Sequence, residues 1–358
     1  MNSLLEAIEK QRQEIKSDRM DMSFGEIINM YKDKEIIITP EYQRAFRWDI
    51  HRETDFIESV LLGIPFPSIF VATNEDGTWE LIDGLQRIST ILSFFGELEN
   101  EEKNNLKLCE GSIIKELKGI TINTLPLELK LAIKRTPCRV EIIQRESQFD
   151  MRYELFKRLN TGGEGLSRQE IRNCIFRGSP KHREFSEVID ELSMNRDFRR
   201  SVTISKTDEE KMFYQELVLR FFSLHNYRES YKQKTIQDFF DDVMKKQCES
   251  PKYKDIESFK EIFLKVFKFI HNLSDDESFN LFRLARLNFS TSMYDALCLS
   301  LAECDIDFSE IDRNKFLKSV EELKNSDDFR RHSGAASSTV SNIRKKVKIA
   351  KRILFDNQ

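Results

Sequence analysis

No apolar run in the 358 residues approaches the roughly 18 that a membrane-spanning helix needs, and mean hydropathy is −0.51. A transmembrane protein is not expected. The opening stretch, MNSLLEAIEKQRQEIKSDRM, is charged and amphipathic and lacks an apolar signal core, so secretion is not expected and a cytoplasmic location is. The six cysteines (109, 138, 174, 248, 298 and 304) form no Cys-x-x-Cys pair and read as reduced thiols, neither a disulfide framework nor a zinc site. Neither charge sign dominates. With 57 basic against 61 acidic residues the net charge is −4, which argues against coating nucleic acid by bulk charge but leaves local readout of DNA or a nucleotide open. Glycine and proline nearly vanish from the second half: 11 of 12 Gly and 6 of 7 Pro lie within residues 1–180. The first half should therefore mix strands and helices, and the second should be helical. The boundary is expected near Gly178-Ser179-Pro180, giving domains 1–180 and 181–358.

What is abundant is phenylalanine, 28 residues of it, ample for a core. In the first half, Ser3 to about Met20 reads as a polar helix and Phe24–Tyr31 as a short second one. Glu35–Thr39 reads as a strand ending at Pro40, and His51–Leu62 as an amphipathic helix closed by Gly63. Ser68–Thr73 and Thr78–Asp83 flank the turn Asn74-Glu75-Asp76-Gly77, a hairpin signal. Gln86–Leu98 reads as a helix, Cys138–Ile143 as a strand and Met151–Leu159 as a helix. In the second half, Lys211–Leu224, Thr235–Gln247, Ile256–Leu273, Glu277–Leu287 and Thr291–Ala302 carry apolar residues at helical spacing, which marks core stripes.

Three stretches carry chemistry. The first, Pro40-Glu41-Tyr42-Gln43-Arg44-Ala45-Phe46-Arg47-Trp48, follows a buried strand and combines stacking faces with guanidinium forks. It would equally suit a strand-exit loop pinned by aromatics. The second is Asp83-Gly84-Leu85-Gln86-Arg87-Ile88-Ser89-Thr90. Here a strand runs into Asp-Gly and a helix begins at once, turning free backbone N–H groups toward whatever sits at the turn. Gly84 would let a phosphate approach the backbone, Arg87 could reach the same anion, and Asp83 could hold Mg²⁺ or orient a water. An N-cap aspartate and a surface arginine would look the same in sequence. The third runs from Leu159 to Asn173 through Asn160-Thr161-Gly162-Gly163. Its Ser167-x-x-Glu170 is a capping box that predicts a helix from Arg168, while no phosphate-loop fingerprint is present.

Together these stretches resemble the N-terminal domain of GmrSD-type, modification-dependent Type IV restriction proteins. That family pattern is P-x-Y-Q-R, then D-G-Q-Q-R-L-T-T, then L-N-T-G-G-x-x-L-S-x-Q-E-I-R-N, and this chain supplies all three in order over residues 20–180. The resemblance implies an α+β, ParB/sulfiredoxin-like N-terminal domain with a small mixed sheet, here followed by an all-helical domain. It also implies Mg²⁺-dependent binding and hydrolysis of a nucleoside triphosphate in defence against foreign or modified DNA. Carried over by position, Asp83, Gln86 and Arg87 would be catalytic, with Asp83 at the metal. Gly84, Arg87, Arg44, Asn160, Thr161 and Arg172 would bind nucleotide. Tyr42, Gln43, Arg44 and Trp48 would sense DNA or its modification.

Two departures matter. Leu85 stands where the family has its first glutamine, removing one polar side chain from the motif. The five histidines (51, 182, 225, 271 and 332) form no cluster, so the HNH nuclease that many relatives carry is not expected. Expected partners are therefore DNA and a separate effector or nuclease protein, with a homo-oligomer left open and no membrane. A basic stretch, Arg330 to Arg352, has eight Lys or Arg and no acid. Its helical part offers Arg344, Lys345, Lys346, Lys348, Lys351 and Arg352 to DNA phosphates, or else to acids elsewhere on the fold. A non-catalytic module in which nucleotide gates DNA or partner contacts is the alternative to the hydrolase, and direct cutting of DNA by the same pocket stands third.

Overall fold

The computed structural model describes residues 4–6, 8–9, 17–38, 46, 48–74, 76–144, 158, 166–177, 183–232, 235–273, 281–284, 289–334 and 337–355. The chain divides into two units, Met1–Leu166 and Ser167–Gln358. The division falls ahead of the turn formers at 178–180 because the helix Arg168–Arg177 spends its polar face on the second unit, as shown below. The fold class is α+β as expected, a small mixed sheet with helices followed by a helical unit.

In the first unit the strands are β1 (Ser17–Ser23), β2 (Ile36–Ile37), β3 (Ile69–Thr73), β4 (Trp79–Asp83) and β5 (Pro137–Ile143), in sheet order β1-β5-β3-β4-β2. β1 pairs antiparallel with β5, β5 runs parallel to β3, β3 and β4 form the antiparallel hairpin, and β2 runs parallel to β4. The helices are α1 (Phe24–Lys32), α2 (Ile50–Leu62), α3 (Leu85–Phe95) and α4 (Leu127–Arg135). Local chemistry accounts for their ends. Ser23 accepts from Glu26 N to cap α1, Asp49 accepts from His51 N and Arg52 N to cap α2, and Gly63 and Gly96 take the left-handed residue that closes α2 and α3. Val71, Ala72, Leu81, Ile82, Val140 and Ile142 supply the buried centre of the sheet, and Ile88, Ile91, Leu92 and Phe94 supply the apolar side of α3.

One expectation fails here. The polar helix from Ser3 to Met20 is helical at described residues 4–6 and 8–9, but Ser17–Met20 belong to β1. Seven residues of antiparallel pairing with β5 outweigh the helical preference of the sequence, and only Met22 of the strand is buried. The stretch Met151–Leu159 lies almost entirely outside the described residues.

The second unit contains α5 (Arg168–Arg177), α6 (Arg183–Ser193), α7 (Arg196–Ser201), α8 (Lys206–Glu210), α9 (Phe213–Tyr227), α10 (Ile236–Glu249), α11 (Tyr253–Asn272), α12 (Thr291–Ala302), α13 (Arg313–Asn325), α14 (Asp327–Arg331) and α15 (Val340–Phe355). The expected helix Glu277–Leu287 is not continued at its described end. Arg283 bridges Phe289 in strand fashion, and Ser290 N donates to Phe282 O at 2.8 Å. Phe198, Phe221, Phe263, Phe267 and Tyr294 form one aromatic cluster, with Phe263 and Phe267 centroids 4.6 Å apart. Within this apolar mass lies a buried charge cluster. Arg220 donates to both oxygens of Asp295 at 2.5 and 2.7 Å, and Lys346 Nζ lies 3.7 Å from the same carboxylate and 3.0 Å from Ser292 Oγ. Burial pushes the Lys346 amine below its ordinary value, against the pull of Asp295, and the Arg220 charge adds to the depression. Five described cysteines (109, 138, 248, 298 and 304) are free, and burial pushes Cys138 up to about 11 and Cys248 up to about 12, as inert packing thiols should be.

Candidate functional site

The site begins where β4 ends. Asp83 lies opposite Phe70, next to the break in β3–β4 register between Phe70 and Val71. Such irregularities redirect side chains at strand ends. Gly84 follows with φ 98°, and α3 starts at Leu85 with no side chain capping its first turn and no acid within it. The start of this eleven-residue helix thus differs from those of α1 and α2, which carry their own Ser and Asp caps.

Asp83 and Arg87, one helical turn apart, form an ion pair. Arg87 donates to Asp83 Oδ2 at 2.9 Å, to Ser68 O at 3.1 Å and to Pro67 O, which anchors α3 to the entrance of β3. Burial pushes the Asp83 carboxyl above its ordinary value, although the Arg87 charge and the Gly84 N–H pull it down. Sequence placed these two groups at one turn; it did not reveal that they hold each other or that two carbonyls share the guanidinium. Leu85, in the place of the family's first glutamine, is buried at 4% exposure and adds to the core.

The glycine at 84 is required by packing as well as by φ. A Cβ there would stand 2.5 Å from Ile69 Cγ2 and 3.5 Å from the Arg87 guanidinium. Gly84→Ala is therefore expected to lower unfolding free energy by roughly 2–4 kcal/mol, combining left-handed strain with overpacking. Urea denaturation would read it, and an unchanged midpoint would contradict this account of the turn.

Gln86 connects the second stretch to the first. Its Oε1 accepts from Trp48 N at 3.1 Å, so the side chain expected to be catalytic is engaged with the end of the aromatic segment. The Trp48 ring lies edge-on to Phe56 at 5.8 Å. Two residues before it, Phe46 is held by Lys103, whose Nζ donates to Phe46 O at 2.7 Å and sits 4.9 Å from the ring centroid. In the first turn of α2, Glu53 is buried at 8% exposure, and burial pushes its carboxyl up to about 7 despite the Lys103 charge, with Asp49 adding to the rise. Neither Lys103 nor Glu53 lies in any of the three stretches. Glu53 had a signal in the sequence, since it falls on the buried stripe of Phe56, Ile57 and Val60; Lys103 had none. Tyr42, Gln43, Arg44, Asn160 and Thr161 lie outside the described residues.

The third stretch has a role other than the one expected for Arg172. The capping box forms as read: Ser167 Oγ accepts from Glu170 N at 3.1 Å, Ser167 N donates to Glu170 Oε2 at 2.7 Å, and α5 begins at Arg168. Arg172 is fully buried in the second unit. Its Nε donates to Asp241 at 2.7 Å, and its terminal nitrogens donate to Gln169 Oε1 at 3.0 Å and to Gln237 Oε1 and O at 2.6 and 3.2 Å. Arg168 shares Asp241 at 2.9 Å, and Asn173 joins through Gln215 at 2.8 Å. A guanidinium so enclosed anchors the helices instead of lining a nucleotide cleft, because its donors are consumed within the unit.

The basic helix α15 forms, with one correction. Lys346 is 0% exposed and held by Ser292 and Asp295, so it is no DNA contact. Arg344 pairs with Glu229, and Lys351 pairs with Glu303 at 3.0 Å. Lys345, Lys348 and Arg352 are exposed on one stripe of the helix. Among the described residues no group of three or more His, Cys, Asp or Glu is placed to hold a metal ion, and no helix is long and apolar enough to cross a membrane. A lone Asp83 carboxylate fits Mg²⁺ only when phosphates and waters fill the other positions, which is how this ion usually travels with a nucleotide.

Part of the chain matches a known protein family. The family described as "GmrSD restriction endonuclease, N-terminal domain" matches residues 24–177, from the start of α1 to the end of α5. Residues 24–177 are thus similar to a GmrSD-type N-terminal domain, and further helices follow them in the chain. A search of curated proteins finds no match.

Proposed function

We propose that this chain binds and hydrolyses a nucleoside triphosphate as the DNA-directed component of a restriction or phage-defence system, with a separate protein cutting the DNA. The observation that carries this reading is the uncapped start of α3, with Asp83 and Arg87 2.9 Å apart beside it. A helix start with no side-chain cap presents backbone N–H groups and a positive dipole end to an anion. Arg87 adds a guanidinium that can exchange a carbonyl partner for a phosphate oxygen, and Asp83, released from Arg87, is the carboxylate that would hold a nucleotide-borne Mg²⁺. The ion supplies charge neutralisation on the phosphates. The chain's own groups orient the phosphates against the Gly84 turn and hold the carboxylate in place.

Titrating each Mg²⁺–NTP into the full chain by calorimetry is the test of binding. Saturable binding of at least one NTP, weakened about tenfold or more by Arg87→Gln, is expected. Equal affinity in both proteins would remove Arg87 from the site, and no heat with any NTP would end the reading.

A second reading, a non-catalytic module gated by nucleotide, is favoured by one observation. Asp83 is held by Arg87 and the Gln86 amide by Trp48 N, so both groups that hydrolysis needs are engaged. Binding without phosphate release would select it.

DNA contact is assigned to the exposed stripe Lys345, Lys348 and Arg352 of α15. Replacing all three by alanine is expected to flatten the log K against log salt slope by roughly 3, close to one phosphate contact each. An unchanged slope in a filter-binding titration would place DNA elsewhere.

A further inference from the structure

Away from the α3 turn, one thiol is set against a histidine. Leu108 is buried, its N–H donates to Ile120 O at 2.9 Å, and its carbonyl accepts from Gly119 N at 2.8 Å. The next residue, Cys109, donates its own N–H to Thr54 Oγ1 on α2 at 3.1 Å. Three backbone bonds thus fix where the sulfur sits. Its Sγ lies 3.3 Å from His51 Nδ1 and 3.3 Å from Thr54 Oγ1, with the carbonyls of Glu110 and Ile50 at 3.5 and 3.7 Å. These neighbours are not equivalent. A carbonyl or hydroxyl oxygen can share the thiol proton but cannot keep it near neutral pH, and the Thr54 hydroxyl gives its own proton to Ile50 O at 2.7 Å. An imidazole can keep it. The other described thiols are placed differently. Burial holds Cys138, Cys248, Cys298 and Cys304 above the ordinary thiol value, and Cys304 Sγ faces only the carbonyls of Leu301 and Ile306, at 3.1 and 3.9 Å. Cys109 is half-buried and His51 is exposed, so this pair joins a base to a sulfur that a reagent can reach.

We propose that Cys109 is a covalent modification site, a nucleophilic thiol served by His51 as general base, and that its reaction partner is a small disulfide. The step is thiol–disulfide exchange. Sγ attacks one sulfur of the reagent while the thiol proton passes to His51 Nδ1. The reagent S–S bond breaks as the new Sγ–S bond forms, and the departing thiolate takes the proton from the imidazolium. Cys109 is oxidised to a mixed disulfide and one reagent sulfur is reduced to a thiol, so no further oxidant is needed. Because His51 touches the reacting sulfur, its part is catalytic. Both charge signs flank the pair: Asp49, the cap of α2, faces His51, and Glu110, next to Cys109, is paired with Lys118 at 2.8 Å. A disulfide of low net charge fits such a rim. This site is separate from the α3 turn and its chemistry needs no nucleotide, so it stands or falls apart from the nucleotide reading.

The test treats the folded full chain with dithiodipyridine, an uncharged disulfide whose released thione is coloured, at about neutral pH. Absorbance gives the rate, and peptide mass mapping gives the cysteine. Cys109 is expected to react first, about tenfold or more faster than the thiol of free glutathione under the same conditions. His51→Asn keeps a polar atom near the position of Nδ1 but cannot take a proton. It should slow Cys109 by about tenfold or more and leave the rates of the other cysteines unchanged. Imidazole added to this variant should restore part of the lost rate, which a purely structural His51 would not allow. A first reaction at any other cysteine, a Cys109 rate no greater than that of glutathione, or a His51→Asn protein as fast as wild type would overturn the proposal.

Discussion

Asp295→Ala should unfold the second unit at a much lower denaturant concentration, a loss of about 3–5 kcal/mol. The wild-type carboxylate is bound on both oxygens by Arg220 and lies 3.7 Å from Lys346, and all three side chains are at most 4% exposed. Removing it leaves two cations in a core walled by Phe240 and Tyr294, with no other carboxylate bonded to either among the described pairs. Burial by itself would lower the affinity of Arg220 for its proton, but Asp295 outweighs that and raises it, a measure of how much the pair depends on the carboxylate. Asp295→Asn keeps the shape and loses the charge, so it should cost nearly as much. Lys346→Met supplies the contrast. It keeps the Arg220–Asp295 pair, removes a buried amine that burial already disfavours, and is expected to be neutral or stabilising. A loss under about 1 kcal/mol for Asp295→Ala, or a larger loss for Lys346→Met than for Asp295→Ala, would show that the cluster is not organised around this carboxylate.

The site and the cluster differ in how far the sequence foretells them. The strand, Asp83-Gly84 and helix start could be read because the determinants are local: a β-branched and aromatic run, a glycine at a forced left-handed φ, and apolar residues at helical spacing after it. The Ser167–Glu170 capping box was legible for the same reason. Lys346 was read as a candidate DNA contact because it lies in the basic run Arg344–Arg352. Its burial depends on Asp295, fifty-one positions earlier, and on Ser292, and no local pattern announces such partners. Arg172 followed the same course, since Asp241 and Gln237 enclose it from α10. The first four residues of β1, Ser17–Met20, were read as helix because the pairing partner, β5, begins more than a hundred residues later. Charged side chains on amphipathic helices are where one-dimensional reading is least informative, because the same lysine spacing serves a solvated face or a buried ion cluster.

The second large effect concerns turnover. Asp83→Asn retains an acceptor for Arg87 while removing the charge that would hold a nucleotide-borne Mg²⁺, so the turn should persist and the chemistry should fail. Loss of the carboxylate that would hold the charge-neutralising Mg²⁺ is expected to slow hydrolysis by about 100-fold or more, with nucleotide affinity changed far less. Because Asp83 is half-enclosed and bonded to Arg87 at 2.9 Å, asparagine is a better test than alanine, which would leave the guanidinium short of a partner. A denaturation midpoint close to wild type would confirm that any loss is chemical. The most direct test of the account is phosphate release from each of the four NTPs by the full chain with Mg²⁺, with and without DNA, in wild type and Asp83→Asn. The account predicts release from at least one NTP by wild type and a fall of about 100-fold or more in the variant. No release under any of these conditions, or an equal rate in Asp83→Asn, would contradict it.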